Sequence, residues 1–202
     1  MGGRGSSSGL VHKTPNGGTS KPDEPAYLGP RGKEMPVEVA LKNTNPHYYE
    51  DRKWRLNCQR CVFAYEMQRR GYDVEAKPRI LDGTDMLPYG DSALGWTHAM
   101  DGMELAQMPQ RNTITKMDEQ MAAWGDGARA IVRVRWKGNT GGHVFIAERI
   151  NGQTRYFDPQ PGKEINVKTY MDEAIKGKTQ LWRTDKAAPN TLLAQCVKRR
   201  NL

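Results

Sequence analysis

Three residues carry most of the chemistry this sequence offers: Cys58, His143 and Asp158. Cys58 follows Asn57, a residue type suited to the position just before a helix, so the pattern predicts a helix from residue 58 to about 70. A helix N-terminus carries partial positive charge and unpaired N–H groups, which stabilise a thiolate and make it a nucleophile. His143 opens one predicted strand and Asp158 closes the next, with the Asn151-Gly152 turn nearly midway between them. That hairpin predicts that the two side chains face each other on adjacent strands. The imidazole could then take the thiol proton and return it to a leaving group, while the carboxylate fixes the tautomer and supports the imidazolium.

Each residue also has a plainer reading. Cys58 and Cys61, one helical turn apart, fit two half-buried thiols as well as a reactive site. A zinc knuckle uses the same spacing but needs two further ligands, and His47, His98, His143 and Cys196 offer no second close pair. A redox pair lacks the strand–helix surroundings of a thioredoxin. A histidine at a strand start and an Asp-Pro at a strand end are ordinary structural features. The case for catalysis rests on the three together, and it calls for no metal and no cofactor.

The elements that must position these residues follow from periodicity and turn chemistry. Residues 1–34 are dominated by Gly, Pro, Ser and Thr and read as a disordered leader. They lack an apolar stretch of the kind a secretory signal needs. Residues 36–41 fit a short strand, and 43–49 a turn-rich approach to the helix at Cys58. That helix places Cys61, Val62 and Tyr65 on one face, with Gly71 as its expected cap. Residues 72–75 suit a short strand, and 80–111 a loop-rich stretch. Ile114, Met117, Met121 and Trp124 then repeat at helical spacing, with Asn112 or Thr113 as cap, and the methionines are taken as core. Residues 128–136 alternate basic and apolar types, as a half-buried strand does. Strands at 143–150, 154–157 and 179–183 and a short helix at 167–175 complete an α+β domain.

Composition narrows the function classes. The chain has 202 residues, 31 Lys and Arg against 23 Asp and Glu, and a net charge of +8. No run approaches the roughly 18 apolar residues of a membrane helix, so no membrane partner is expected. Three cysteines exclude a disulfide-dense secreted scaffold. The positive balance permits acidic partners. However, aromatic and basic residues are not interleaved as in a base-stacking platform, which leaves nucleic acid a minor reading. Lys198, Arg199 and Arg200 read as part of a solvated basic tail over 187–202.

The string Asn57-Cys-Gln-Arg-Cys-Val-Phe-Ala-Tyr-Glu66, followed by Arg70-Gly-Tyr-Asp-Val-Glu-Ala76, resembles the start of the papain-fold toxin domains of polymorphic toxins and phage-associated proteins. Gly142-His-Val-Phe-Ile-Ala147, Tyr156-Phe-Asp-Pro-Gln160 and Leu181-Trp-Arg-Thr-Asp185 are similar to the rest of that domain. The resemblance implies a papain-like hydrolase over residues 35–186, with an N-terminal catalytic helix packed on an antiparallel sheet. It implies a Cys–His–Asp triad that deamidates protein glutamine. On matching positions Cys58 is the nucleophile, His143 the base and Asp158 its orienter, with Asn57, Gln59, Cys61 and Gln160 as supporting positions. Papain-type proteases place the nucleophile second in such a Cys-x-x-Cys string, which keeps Cys61 as the alternative. Peptide-bond cleavage, amine transfer and a catalytically silent binding module are the other functions the same chain could serve. The resemblance also implies a protein substrate, with an immunity protein or a phage structural protein as the further partners such a domain could have; the cysteine usage and the lack of a signal stretch point to the host cytoplasm or a phage.

Overall fold

The computed structural model describes residues 25–85, 87, 95–139 and 141–200. Helices α1 (Val37–Thr44) and α2 (Cys58–Arg69) come first, then strands β1 (Val74–Ala76), β2 (Met100–Asp101) and β3 (Glu104–Gln107). Helix α3 (Thr113–Trp124) leads into β4 (Arg129–Arg135), β5 (Gly142–Ile150), β6 (Gln153–Asp158) and β7 (Lys163–Glu164). Helix α4 (Val167–Glu173), β8 (Gln180–Arg183), β9 (Ala188–Pro189) and β10 (Val197–Arg199) close the order. Six strands form one antiparallel sheet in the order β3-β8-β4-β5-β6-β7. This is the expected α+β architecture.

Side-chain alternation in the central strands feeds two cores. Ile131, Val144, Ile146 and Phe157 pack with α2 residues such as Val62 and Tyr65 on one face. Ala130, Val132, Val134, Phe145 and Ala147 pack with Met117 and Met121 of α3 on the other. Both methionines are fully buried, as their helical spacing predicts. Strand β4 lies between β8 and β5; its first four residues are buried, and the half-buried alternation its basic residues suggest holds from Val132 on, where Arg133 and Arg135 are partly exposed. Its Arg129 is buried because Glu66 of α2 accepts from Arg129 Nε at 2.8 Å.

Helix α2 is buried along nearly its whole length, polar residues included. Each buried charge on it has a partner, as burial demands. Glu66 also accepts from Arg70 Nε at 2.7 Å and Thr184 Oγ1 at 3.0 Å, and the Arg60 guanidinium pairs with Asp85 at 2.8 Å. The helix ends as expected near Gly71, whose φ of 96° lets Gly71 N donate to Gln68 O and Tyr72 N to Met67 O. A helix fixed on all sides holds its first residue in a defined place.

Two expectations within the domain change. Of the expected strand at 36–41, residues 37–41 lie in helix α1 and Pro36 stands just before it. The Val-Glu-Val alternation spans only three residues, whereas Val37, Ala40, Leu41 and Thr44 fall on one helical face that is buried. Strand β3 lies inside the stretch read as loop-rich; it is a short edge strand, mostly exposed, with no apolar alternation to announce it. Residues 86 and 88–94 of that stretch lie outside the described residues.

The chain ends also differ from the leader and tail expected of them. Leu28 is buried and Tyr27 Oη donates to Asn190 O at 2.5 Å, so packing begins well before residue 35; residues 1–24 lie outside the described residues. The expected basic tail folds back as β10 against β1, with Val74 opposite Arg199 and Ala76 opposite Val197. Lys198 Nζ lies 2.8 Å from Glu75 and Arg200 3.2 Å from Asp73. Among the described residues no helix is long and apolar enough to cross a membrane.

Candidate active site

The loop after α1 brings the chain to Asn57, and α2 begins at Cys58 as the sequence predicts. Asn57 stands at the cap position, but its side chain does not cap the helix. Its Nδ2 donates to Lys77 O at 3.1 Å, and its Oδ1 accepts from Cys61 Sγ at 3.2 Å. The two thiols therefore have different surroundings. Cys58 is half-buried at the helix start, whereas Cys61 has no exposed surface. Burial, with the negative charge of Cys58 and Asp158 nearby, holds the Cys61 thiol well above its ordinary pKa.

His143 lies near the start of β5, with its side chain 11% exposed. Its Nε2 sits 2.7 Å from Asp158 Oδ2. The two residues are not directly opposite. Ile146 pairs with Phe157, and continuing that register sets Phe145 across from Asp158. The imidazole therefore reaches the carboxylate diagonally, along a sheet face it shares with Phe145. Trp136 stacks on the imidazole at 6.0 Å and 21°, and Tyr170 of α4 lies 6.0 Å away.

Asp158 is buried and accepts three hydrogen bonds. Tyr170 Oη donates to Oδ2 at 2.7 Å and Gln160 N donates to Oδ1 at 3.1 Å, besides the His143 contact. Burial alone would raise its pKa, but the facing imidazolium and these donors hold it below the ordinary carboxylate value. For His143, burial alone would lower the pKa. The Asp158 charge and hydrogen bond, with a smaller contribution from the neighbouring Cys58, outweigh burial and lift it from 6.5 to about 10. Nε2 is engaged by Asp158, so Nδ1 is the ring nitrogen not taken by the carboxylate. His143 thus pairs with a buried carboxylate and neighbours the half-buried thiol, the surroundings a proton carrier would need.

A cleft of about 650 Å³ opens beside this group, with Tyr48, Trp136, His143, Asp158, Gln160 and Tyr170 in its walls. Gln160 donates from Nε2 to Asn57 Oδ1 at a long 3.4 Å. Gln59 is half-buried, and its Oε1 has no hydrogen-bond partner among the described residues. The structure thus brings His143, Asp158, Gln160, Asn57 and Cys61 into one neighbourhood with Cys58, while no hydrogen bond among the described residues joins the Gln59 side chain to them. Sequence reasoning missed Tyr170 and Trp136, because a lone aromatic in a short helix or at a strand end reads as packing. It also missed Asn45, whose turn-rich surroundings hide its long-range partners.

A family model described as papain fold toxin 1, glutamine deamidase, matches residues 56–163, just over half of the chain. The matched span holds Cys58, Cys61, His143, Asp158 and Gln160. Neither a curated protein nor a solved structure matches the chain.

Proposed function

Because this chain belongs to the papain fold toxin 1, glutamine deamidase family, we propose that Cys58, His143 and Asp158 form the triad that hydrolyses the side-chain carboxamide of a protein glutamine. The observation that carries the proposal is His143, bonded through Nε2 to Asp158 at 2.7 Å and neighbouring the Cys58 thiol at the head of α2. Cys58 is the half-buried thiol of the pair, whereas Cys61 is fully buried and donates a hydrogen bond to Asn57 Oδ1 inside the core.

The reaction follows from these positions. The Cys58 proton passes to His143, and the thiolate adds to the carboxamide carbon to give a tetrahedral oxyanion. The N–H groups of Cys58 and Gln59, at a helix start that leaves its first N–H groups without intrahelical partners, are the proposed donors to that oxyanion. Its collapse breaks the C–N bond, and His143 gives its proton to the departing nitrogen, which leaves as ammonia. The acyl group is then held as a Cys58 thioester. Water adds to the thioester carbon while His143 takes a proton from it. Release of the thiolate yields glutamate and restores the starting pair. Asp158 holds the imidazole in register through both proton transfers and does not itself need to be protonated.

The test is incubation of the full chain with proteins of a bacterial lysate, followed by mass-spectrometric mapping of glutamines converted to glutamate. Conversion by the wild type and Cys61→Ala chains, and its loss in Cys58→Ser, is the expected result. Cleaved peptide bonds with unchanged glutamines would replace deamidation by proteolysis on the same triad. Conversion that survives Cys58→Ser would sink the assignment of the nucleophile.

A further inference from the structure

Beside the site, reaching the cleft wall only at Gln160, lies a small cluster of buried amides. Asn45, Asn57 and Gln160 are 6%, 1% and 8% exposed. Asn45 Nδ2 donates to two backbone carbonyls, Trp54 O at 2.9 Å and Gln160 O at 2.8 Å. Its Oδ1 accepts from Asn57 Nδ2 at 3.3 Å, and a 3.4 Å contact joins Asn45 Nδ2 to Asn57 Oδ1. One carboxamide thus uses both of its donor hydrogens and its acceptor oxygen, all on partners distant in the chain.

The partners are what matter. Trp54 and Asn57 belong to the segment that delivers Cys58 to the head of α2. Gln160 belongs to the segment that leaves β6, and its own N–H donates to Asp158 Oδ1 at 3.1 Å. Asn45 therefore ties the backbone that carries the thiol to the backbone that anchors the carboxylate. Asp158 in turn holds His143 at 2.7 Å. The contacts run from Asn57, the chain neighbour of Cys58, through Asn45, Gln160 and Asp158 to His143.

We propose that Asn45 is a positioning residue, one that sets the approach of Cys58 to His143 by clasping together the two segments that deliver the triad. The proposal rests on the triad reading given above. Asn45 touches neither reacting group. It acts through two backbone carbonyls that a side chain without donor hydrogens leaves unpaired in a buried place. Their release lets the segments separate, and a shift of about 1 Å between a nucleophile and its base is enough to cost rate.

A double-mutant cycle tests it. The readout is the rate at which limiting iodoacetamide alkylates Cys58 in the full chain at about pH 6, where an unperturbed thiol is mostly unreactive. The chains are the wild type, Asn45→Ala, His143→Ala and the double variant. The expected result is that Asn45→Ala slows alkylation by about tenfold or more with the circular dichroism spectrum retained. In the His143→Ala background it adds less than about twofold, because there is no longer a partner to be positioned against. Equal slowing in both backgrounds, or no slowing in the first, overturns the clasp while leaving the triad standing. If His143→Ala alone leaves the rate unchanged, the triad reading itself falls, and the clasp with it. Asn45→Asp, which keeps the volume but replaces the donor, is measured alongside and is expected to behave as the alanine chain does. If neither variant folds, Asn45 is a folding residue and the positioning role is overturned.

Discussion

Tyr170 Oη donates to the same Asp158 oxygen, Oδ2, that faces His143 Nε2, and each contact is 2.7 Å long. A carboxylate that receives a neutral donor is stabilised in its charged form. The hydroxyl of α4 is thus part of what keeps Asp158 ionised beneath the imidazole.

Tyr170→Phe removes that donor and keeps the ring packed against Trp136, Phe145 and His143. The pKa of Asp158 is expected to rise in this variant, read by NMR titration of its side-chain carboxyl carbon. An unmoved midpoint would mean that the hydroxyl is not held on the carboxylate in solution.

The raised pKa of His143, about 10 against 6.5, has a definite sign for stability. A group that binds its proton more tightly when folded adds stability in full below about pH 6.5, and that contribution fades as pH rises through about 10. The wild-type chain should therefore lose stability relative to His143→Gln between these values, as followed by urea melts at several pH values. A stability difference that stays flat across this range would show that the imidazole is not held by Asp158.

Cys61 should behave as part of the core. Its thiol is expected to resist alkylation in the folded chain and to react once urea unfolds it, as peptide mapping would record. Cys61→Ala should leave His143-dependent labelling of Cys58 in place. Rapid labelling of Cys61 in the native chain would reverse the roles of the two thiols.

Glu66 holds Arg70 and Arg129 from inside α2, and these partners keep its carboxyl below the ordinary value although burial pushes the other way. Glu66→Ala leaves two guanidinium groups without their carboxylate. It should cost about 3–5 kcal/mol of folding stability in urea melts. A loss below about 1 kcal/mol would mean that the arginines find other partners or water.

What the sequence discloses depends on how local the signal is. The β5–β6 hairpin was legible because the residues that make it are neighbours, Asn151-Gly152 with positive φ at both positions. The helix starts at Cys58 where Asn57 announces it, although the Asn57 side chain bonds Lys77 O and Cys61 Sγ instead of capping. The diagonal reach from His143 to Asp158 was not legible, since it depends on where β5 and β6 stop pairing. Glu66 and Arg129 look like surface charges until both are found buried together, 63 residues apart in the chain. Asn45 is harder still, because a carboxamide in a turn-rich segment gives no sign that its donors will be taken up 115 residues later.

The pairing of β1 with β10 also has a consequence for timing. Strand β1 directly follows the Cys58 helix, but its partner is made about 120 residues later. At a synthesis rate of roughly 5–20 residues per second, the helix emerges some 6–24 s before the strand that seals its far end. His143 and Asp158 also arrive within that interval. A ribosome-bound chain therefore carries its thiol well before β10 is available to pair with β1.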